Sequence, residues 1–176
     1  MEELDSAAES PRSRLFAPAP LTAGHDVTQF DCGEPALNDW LRQRALKNES
    51  RFSRTYVVCQ KNHVVAYYSI SAGAVERGAA PGRVRRNAPD TIPVSVIGRL
   101  AVGIDHAGKG LGADILSDAL RRIAIASQSI GIGAVLVHAE NENARRFYMR
   151  CAEFIEYPAD SRTMFLPIET VIAAFS

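Results

Sequence analysis

Gly108-Lys109-Gly110-Leu111-Gly112 follows an apolar, β-branched run, Val94 to Val102, and leads straight into a helical stripe of Leu111, Ile115 and Ala119. A glycine-rich turn between a strand and a helix makes an anion cradle. Small residues let the backbone approach, and the unpaired N–H groups of the first helical turn point outward with the positive dipole end behind them. Phosphate is the natural guest. A nucleotide-triphosphate loop would need Ser or Thr after its lysine, and Lys109 is followed by Gly110. A dinucleotide fingerprint is formally met by Gly108, Gly110 and Ala113. It also wants an acidic residue about 20 positions later, and nothing between Asp118 and Glu140 is acidic. A second concentration of chemistry is cationic. Arg77, Arg83, Arg85 and Arg86 have no acidic residue between them, so they form either an edge that meets phosphates or a solvated face.

The elements that must position these residues can be read from periodicity. With 176 residues, 47% of them apolar and 23% charged, the chain reads as one folded domain with a real core. Twenty basic and twenty acidic residues exclude whole-surface attraction to a polyanion and leave room for a local patch. Ile123 to Ala139 is broken by Ser127, Gln128, Ser129, Gly131, Gly133 and His138, which is short of a bilayer span, and no secretory signal opens the chain. A cytoplasmic protein is the expectation. Residues 1–20 read as a flexible leader and 21–176 as the domain. Leu37, Trp40, Leu41 and Ala45 make one apolar helical stripe behind Pro35. Thr55–Cys59 and Val64–Ile70 read as a hairpin, and Ser71 to Pro93 as a long loop that could hold a short helix. The spacing then predicts a strand over 94–102, a helix from 110 to about 128, a buried strand over 134–139, a short helix over 143–151 and a closing hairpin of 155–157 with 163–166. That order is α/β or α+β, with a mixed central β-sheet flanked by helices. Cys32, Cys59 and Cys151 show no pairing pattern, and His25, His63, His106 and His138 lack ligand spacing, so no metal is expected. His138, within an apolar strand, reads as a hydrogen-bonded core residue.

A third phosphate-binding arrangement fits better. The turn resembles the pyrophosphate loop of the acetyl-CoA-dependent N-acetyltransferases of the GNAT superfamily, Q/R-x-x-G-x-G/A. Gly110 and Gly112 supply its glycines, and Ala107 stands where Gln or Arg is usual, which removes one side-chain contact and leaves the backbone cradle. In that superfamily the strand before the loop offers its backbone to the pantetheine arm, here Arg99-Leu100-Ala101-Val102. Asn141-Glu142-Asn143-Ala144-Arg145-Arg146-Phe147-Tyr148 is similar to its N-x-x-A-x-x-[aromatic or aliphatic]-Y segment. The resemblance therefore implies acetyl-CoA as cosubstrate, held by Leu100, Ala101, Val102, Ala107, Gly108, Lys109, Gly110, Leu111, Gly112 and Asn141, with Tyr148 facing the sulfur. Cys151-Ala152-Glu153-Phe154 replaces the usual Gly-Phe sequel and is one residue longer. Chemically, a phenol beside a leaving thiolate suits the acid role, while an α-amino acceptor with a pKa near 8 is already partly neutral at pH 7.

Phe30-Asp31-Cys32-Gly33, Ser53-Arg54-Thr55-Tyr56-Val57-Val58, Ala66-Tyr67-Tyr68-Ser69-Ile70-Ser71, Ile97-Gly98-Arg99-Leu100-Ala101-Val102 and Arg162-Thr163-Met164-Phe165-Leu166-Pro167 together resemble the GNAT toxins of bacterial toxin–antitoxin pairs, the TacT and AtaT kind. That resemblance implies acetylation of the amino acid on charged tRNA, which blocks translation, a homodimer, neutralisation by a ribbon-helix-helix antitoxin, and no membrane partner. On this reading Arg77, Arg83, Arg85 and Arg86 are candidate tRNA contacts, with Arg145, Arg146 and Arg150 extending them. Two other readings stay open: a GNAT enzyme acting on a small amine or a protein N-terminus, and a binding module that senses CoA or a dinucleotide.

Overall fold

Strand and helix stretches alternate along the computed structural model, which describes residues 14–176. The order is β1 (Ala19–Pro20), α1 (Pro35–Trp40), a π-helical turn (Leu41–Ala45), α2 (Leu46–Asn48), β2 (Arg54–Gln60), β3 (His63–Glu76), a 3-10 turn (Arg77–Ala79) and α3 (Gly82–Arg85). Then follow β4 (Thr91–Val102), a 3-10 turn (Ile104–His106), α4 (Leu111–Ala126), β5 (Ala134–His138), α5 (Glu142–Cys151), β6 (Ile155–Tyr157), β7 (Asp160–Pro167) and α6 (Ile168–Ala174). The strands form one sheet in the order β1-β2-β3-β4-β5-β7-β6. It is mixed, as expected: β4 and β5 are parallel, whereas β1–β2, β5–β7 and β6–β7 are antiparallel.

The chain gathers into two compact units. The first takes in the described residues up to Tyr67 together with Ala101–Gly112. Its core is organised by Tyr67, whose ring stacks on Trp40 at 5.9 Å and meets Phe30 edge-on at 5.4 Å. The Tyr67 hydroxyl donates to the Leu37 carbonyl at 2.7 Å, so a fully buried polar tip is satisfied and α1 is tied to β3. The second unit holds Tyr68–Leu100 and Ala113–Ser176. There α4 buries Ile115, Leu116, Ala119, Leu120, Ile123 and Ala124, the stripe its 3.6-residue period dictates. The buried Tyr68 hydroxyl donates to Asp118 of α4, and Asp118 also pairs with Arg122 at 2.9 Å.

Three expectations are corrected. The stretch read as a loop from Ser71 is strand as far as Glu76, and β4 begins at Thr91, which leaves two short helical turns between them. Small residues misled the pattern. At Gly73 an added Cβ would lie 2.9 Å from Val96 Cγ2 and 3.4 Å from Val94 Cγ2, so the missing side chain marks close approach and not a turn. At the N-terminal end, Ala19–Pro20 pairs with Val57 and Tyr56, and Phe16 N–H donates to the Cys59 carbonyl at 3.0 Å. The 20/21 boundary thus lies inside ordered structure, while positions 1–13 of the expected leader lie outside the described residues. Finally, His138 is no core residue: it ends β5 with its side chain 62% exposed.

Candidate functional site

β4 is twelve residues long, yet its ladder with β5 covers only Val94–Ile97 against Ala134–Val137. From Gly98 onward β4 runs beyond that ladder, which leaves main-chain groups on its β5 side for another extended partner. Periodicity could not show this, because a splayed strand and a paired one carry the same apolar pattern. Leu100 is half-buried on this stretch in the second unit. Ala101 and Val102 continue it in the first, where Gly103 N–H donates to the Val65 carbonyl at 2.8 Å.

Past Val102 the 3-10 turn delivers the chain to Ala107, Gly108, Lys109 and Gly110, all exposed, and then to Leu111 and Gly112 at the start of α4. Gly108 has φ +76° and Gly110 φ +85°, the left-handed region that disfavours any side chain. Nothing lies within 4 Å of where a Cβ would stand at either glycine. The conformation, not crowding, therefore calls for glycine, and the surface over the turn is open for a ligand. A 16-residue helix opens directly behind it, with its first-turn N–H groups unpaired by helical geometry. This turn fits a diphosphate. Lys109 sends its ammonium to the Asp105 carbonyl at 3.5 Å, and Gln60, Asp105, His106 and Lys109 line a cavity of about 420 Å³. Gln60 and His106 carried no signal in the sequence, since nothing in its spacing places the end of β2 beside Lys109.

Tyr148 belongs to the second unit and is 6% exposed. Its ring meets Phe147 at 5.4 Å and Phe154 at 5.5 Å, both edge-on, so Phe154 supplies the aromatic contact despite the longer, glycine-free connection. Burial pushes the phenol above the ordinary phenol range, with the Cys151 and Glu140 charges adding to it. The group holds its proton throughout the neutral range. Asn141 is extended and caps α5: its Oδ1 accepts from the Ala144 N–H at 2.9 Å. Removing that cap in Asn141→Ala should cost about 1 kcal/mol of stability, and Asn141→Ser should recover most of it. Urea unfolding of the two variants checks this.

The four candidate arginines are exposed; Arg77 stands on the 3-10 turn, Arg83 and Arg85 on α3, and Arg86 is the extended residue that caps α3. Arg77 donates to the Ala88 carbonyl at 3.3 Å and lies 3.5 Å from Asp90, and Arg83 reaches Thr170 at 3.4 Å. Arg145 does not extend this edge. It pairs with Glu142 at 3.0 Å and with Glu156 on β6, and Arg146 stands 3.4 Å from the same Glu142. Their charge is spent within α5 and its neighbour. Among the described residues no group of three or more His, Cys, Asp or Glu could hold a metal ion, and no helix is long and apolar enough to cross a membrane.

A model of the acetyltransferase (GNAT) family matches residues 21–154. A tRNA-acetylating toxin of Mycobacterium tuberculosis (strain ATCC 25618 / H37Rv) is 47% identical over 138 residues, which cover 78% of this chain and 83% of the toxin. AtaT complexed with acetyl-methionyl-tRNAfMet superposes with a TM-score of 0.84 at 30% identity, over 93% of this chain and all of that one. A tyrosine-to-phenylalanine mutant of the AtaT toxin, bound to the C-terminus of the antitoxin AtaR and to acetyl-CoA, gives 0.79 at 30% identity over 92% of this chain and 98% of its own.

Proposed function

The chain belongs to the acetyltransferase (GNAT) family, and on that premise we propose that it transfers the acetyl group of acetyl-CoA to the α-amino group of the amino acid on charged tRNA, which stops translation. The observation that carries this reading is a strand that outruns its parallel partner and feeds a left-handed glycine turn at a helix start. Such a path supplies backbone for a pantetheine arm and then N–H groups for a diphosphate. The relatives acetylate tRNA or were solved with acetylated tRNA and acetyl-CoA, which favours this substrate over a small amine.

In this mechanism Ala107 to Gly112 hold the diphosphate, Leu100 to Val102 offer main-chain groups to the arm and the carbonyl oxygen, and Asn141 fixes the helix that carries Tyr148. Acetyl-CoA, when bound, supplies the thioester. Tyr148 gives the departing sulfur a hydrogen bond and its proton. Arg77, Arg83, Arg85 and Arg86 meet the phosphates of the tRNA. The relative solved with the antitoxin AtaR supports a role as the toxin of a toxin–antitoxin pair. We further propose that the protein works in the cytoplasm as a homodimer and is silenced by a ribbon-helix-helix antitoxin.

Purified protein incubated with radiolabelled acetyl-CoA and charged tRNA should label the aminoacyl group, and a deacylated tRNA should stay unlabelled. Label on a free polyamine or a peptide N-terminus instead would overturn the reading. If each of the four arginines neutralises one phosphate, raising salt from 50 to 200 mM should weaken tRNA binding on the order of 100-fold. Arg85→Ala should lower the salt slope by about one.

A further inference from the structure

A second proton-handling group stands where β4 and β5 part. The ladder between them ends at Val137, and His138 is the next residue of β5. β5 continues to pair with β7, with Thr163 directly across from His138, so the two side chains share one face. His138 Nδ1 lies 2.9 Å from Thr163 Oγ1, and that hydroxyl donates to Asp160 Oδ2 at 2.8 Å. These two contacts fix the imidazole proton. An ionised carboxylate only accepts, and a hydroxyl has one hydrogen. The Thr163 hydrogen goes to Asp160, so Thr163 must accept from His138, and Nδ1 carries the N–H. In the neutral ring that leaves the lone pair on Nε2.

Asp160 is held ionised by the Thr163 hydroxyl first and by the Arg162 N–H at 3.1 Å, with smaller help from His138 and Arg162. The charged group at the ring is Asp160, whose Oδ2 is 3.9 Å from Nδ1; nearby in the chain, Arg162 donates to the Glu140 carbonyl at 3.4 Å. Beyond the ladder on β4 the first charged residue is Arg99. Two residues separate His138 from Asn141, which caps the helix bearing Tyr148, and one of them, Glu140, acts on the Tyr148 phenol.

We propose that His138 Nε2 is the general base of the acetyl transfer, oriented by Thr163 and Asp160; this rests on the function proposed above. As the neutral amine nitrogen closes on the acetyl carbon, Nε2 takes one of its two protons. The C–N bond forms, the C–S bond breaks, and the sulfur takes the Tyr148 proton. The imidazolium then releases its proton to solvent and the phenolate takes one back, so an amine and a thioester become an amide and a thiol. A side chain oriented by a relay of this kind contributes roughly 10²- to 10⁴-fold.

Two measurements test it. In the protein alone, nitrogen NMR of the His138 ring should show Nδ1 protonated in the neutral form, and Thr163→Val should shift the proton toward Nε2. In turnover on charged tRNA, His138→Asn keeps a donor toward Thr163 and removes the base. Its rate should fall about 100-fold at pH 8. A His138→Asn rate within a few-fold of the wild type, or an Nε2-protonated wild-type ring, overturns the base assignment. If the wild type labels no charged tRNA at all, the transfer reading itself falls, and the base assignment with it.

Discussion

Tyr148→Phe should lower acetyl transfer to charged tRNA by 100-fold or more and leave the protein as stable as the wild type. The two halves of that expectation come from different atoms of one residue. The ring is buried, and its contacts are edge-on to Phe147 and Phe154, so phenylalanine keeps them. The hydroxyl is what the reaction uses. Burial holds the phenol above its usual range, so at neutral pH it is a proton carrier and never a base. A thiolate leaving without that proton is a poorer leaving group, and loss of one positioned acid costs roughly 10²- to 10⁴-fold. The measurement is single-turnover labelling of charged tRNA beside a thermal melt of the same sample. If the variant keeps more than a third of the wild-type rate, Tyr148 is not the acid. If it melts well below the wild type, the hydroxyl holds the fold together and the rate says nothing of chemistry.

Which parts of this arrangement could be read from residues alone depends on whether the signal is local. The α4 stripe, the start of the helix that carries Tyr148 and the glycine turn are set by neighbours within a few positions, and each appears within two residues of where spacing put it. Partnering across the sheet is different. Gly73 and the small residues around it look like loop until Val94 and Val96 press against them, and β3 then runs to Glu76. The apolar run before His138 suggested burial, but the β4–β5 ladder stops one residue short of it and opens the ring to solvent. Arg145 looked like a phosphate ligand because its carboxylate partner Glu156 lies on a later strand. In all three cases the local pattern pointed the wrong way, and pairing with distant sequence, or its end, decided the outcome.

Gly110→Val should weaken acetyl-CoA binding by 30-fold or more while shifting the melting temperature of the unliganded protein only slightly. Strain and obstruction act separately at this position. At φ +85° a β-branched residue is strained by roughly 1–2 kcal/mol, while its Cβ has open space, with no atom within 4 Å outside the neighbouring residues. On an exposed turn much of that strain relaxes by a local change of conformation. That same relaxation turns the N–H groups of residues 110–112 away from the ligand, and the side chain fills the open space over the turn. The diphosphate therefore loses its donors and its room together, and each lost hydrogen bond to a charged group is worth about 1.5–3 kcal/mol. Two such bonds exceed a hundredfold in affinity, which sets 30-fold as a conservative floor. Thermal shift against increasing acetyl-CoA reads both quantities from one series, because the unliganded melt reports the strain and the ligand-dependent rise reports the affinity. Gly78 is an internal control: it also has open space about its Cβ position, and it lies on the arginine-bearing 3-10 turn, away from the glycine turn in sequence. Gly78→Val should leave the acetyl-CoA-dependent rise unchanged. Equal loss of that rise in both variants would mean that bulk alone perturbs the fold, and the diphosphate assignment of the turn would fail.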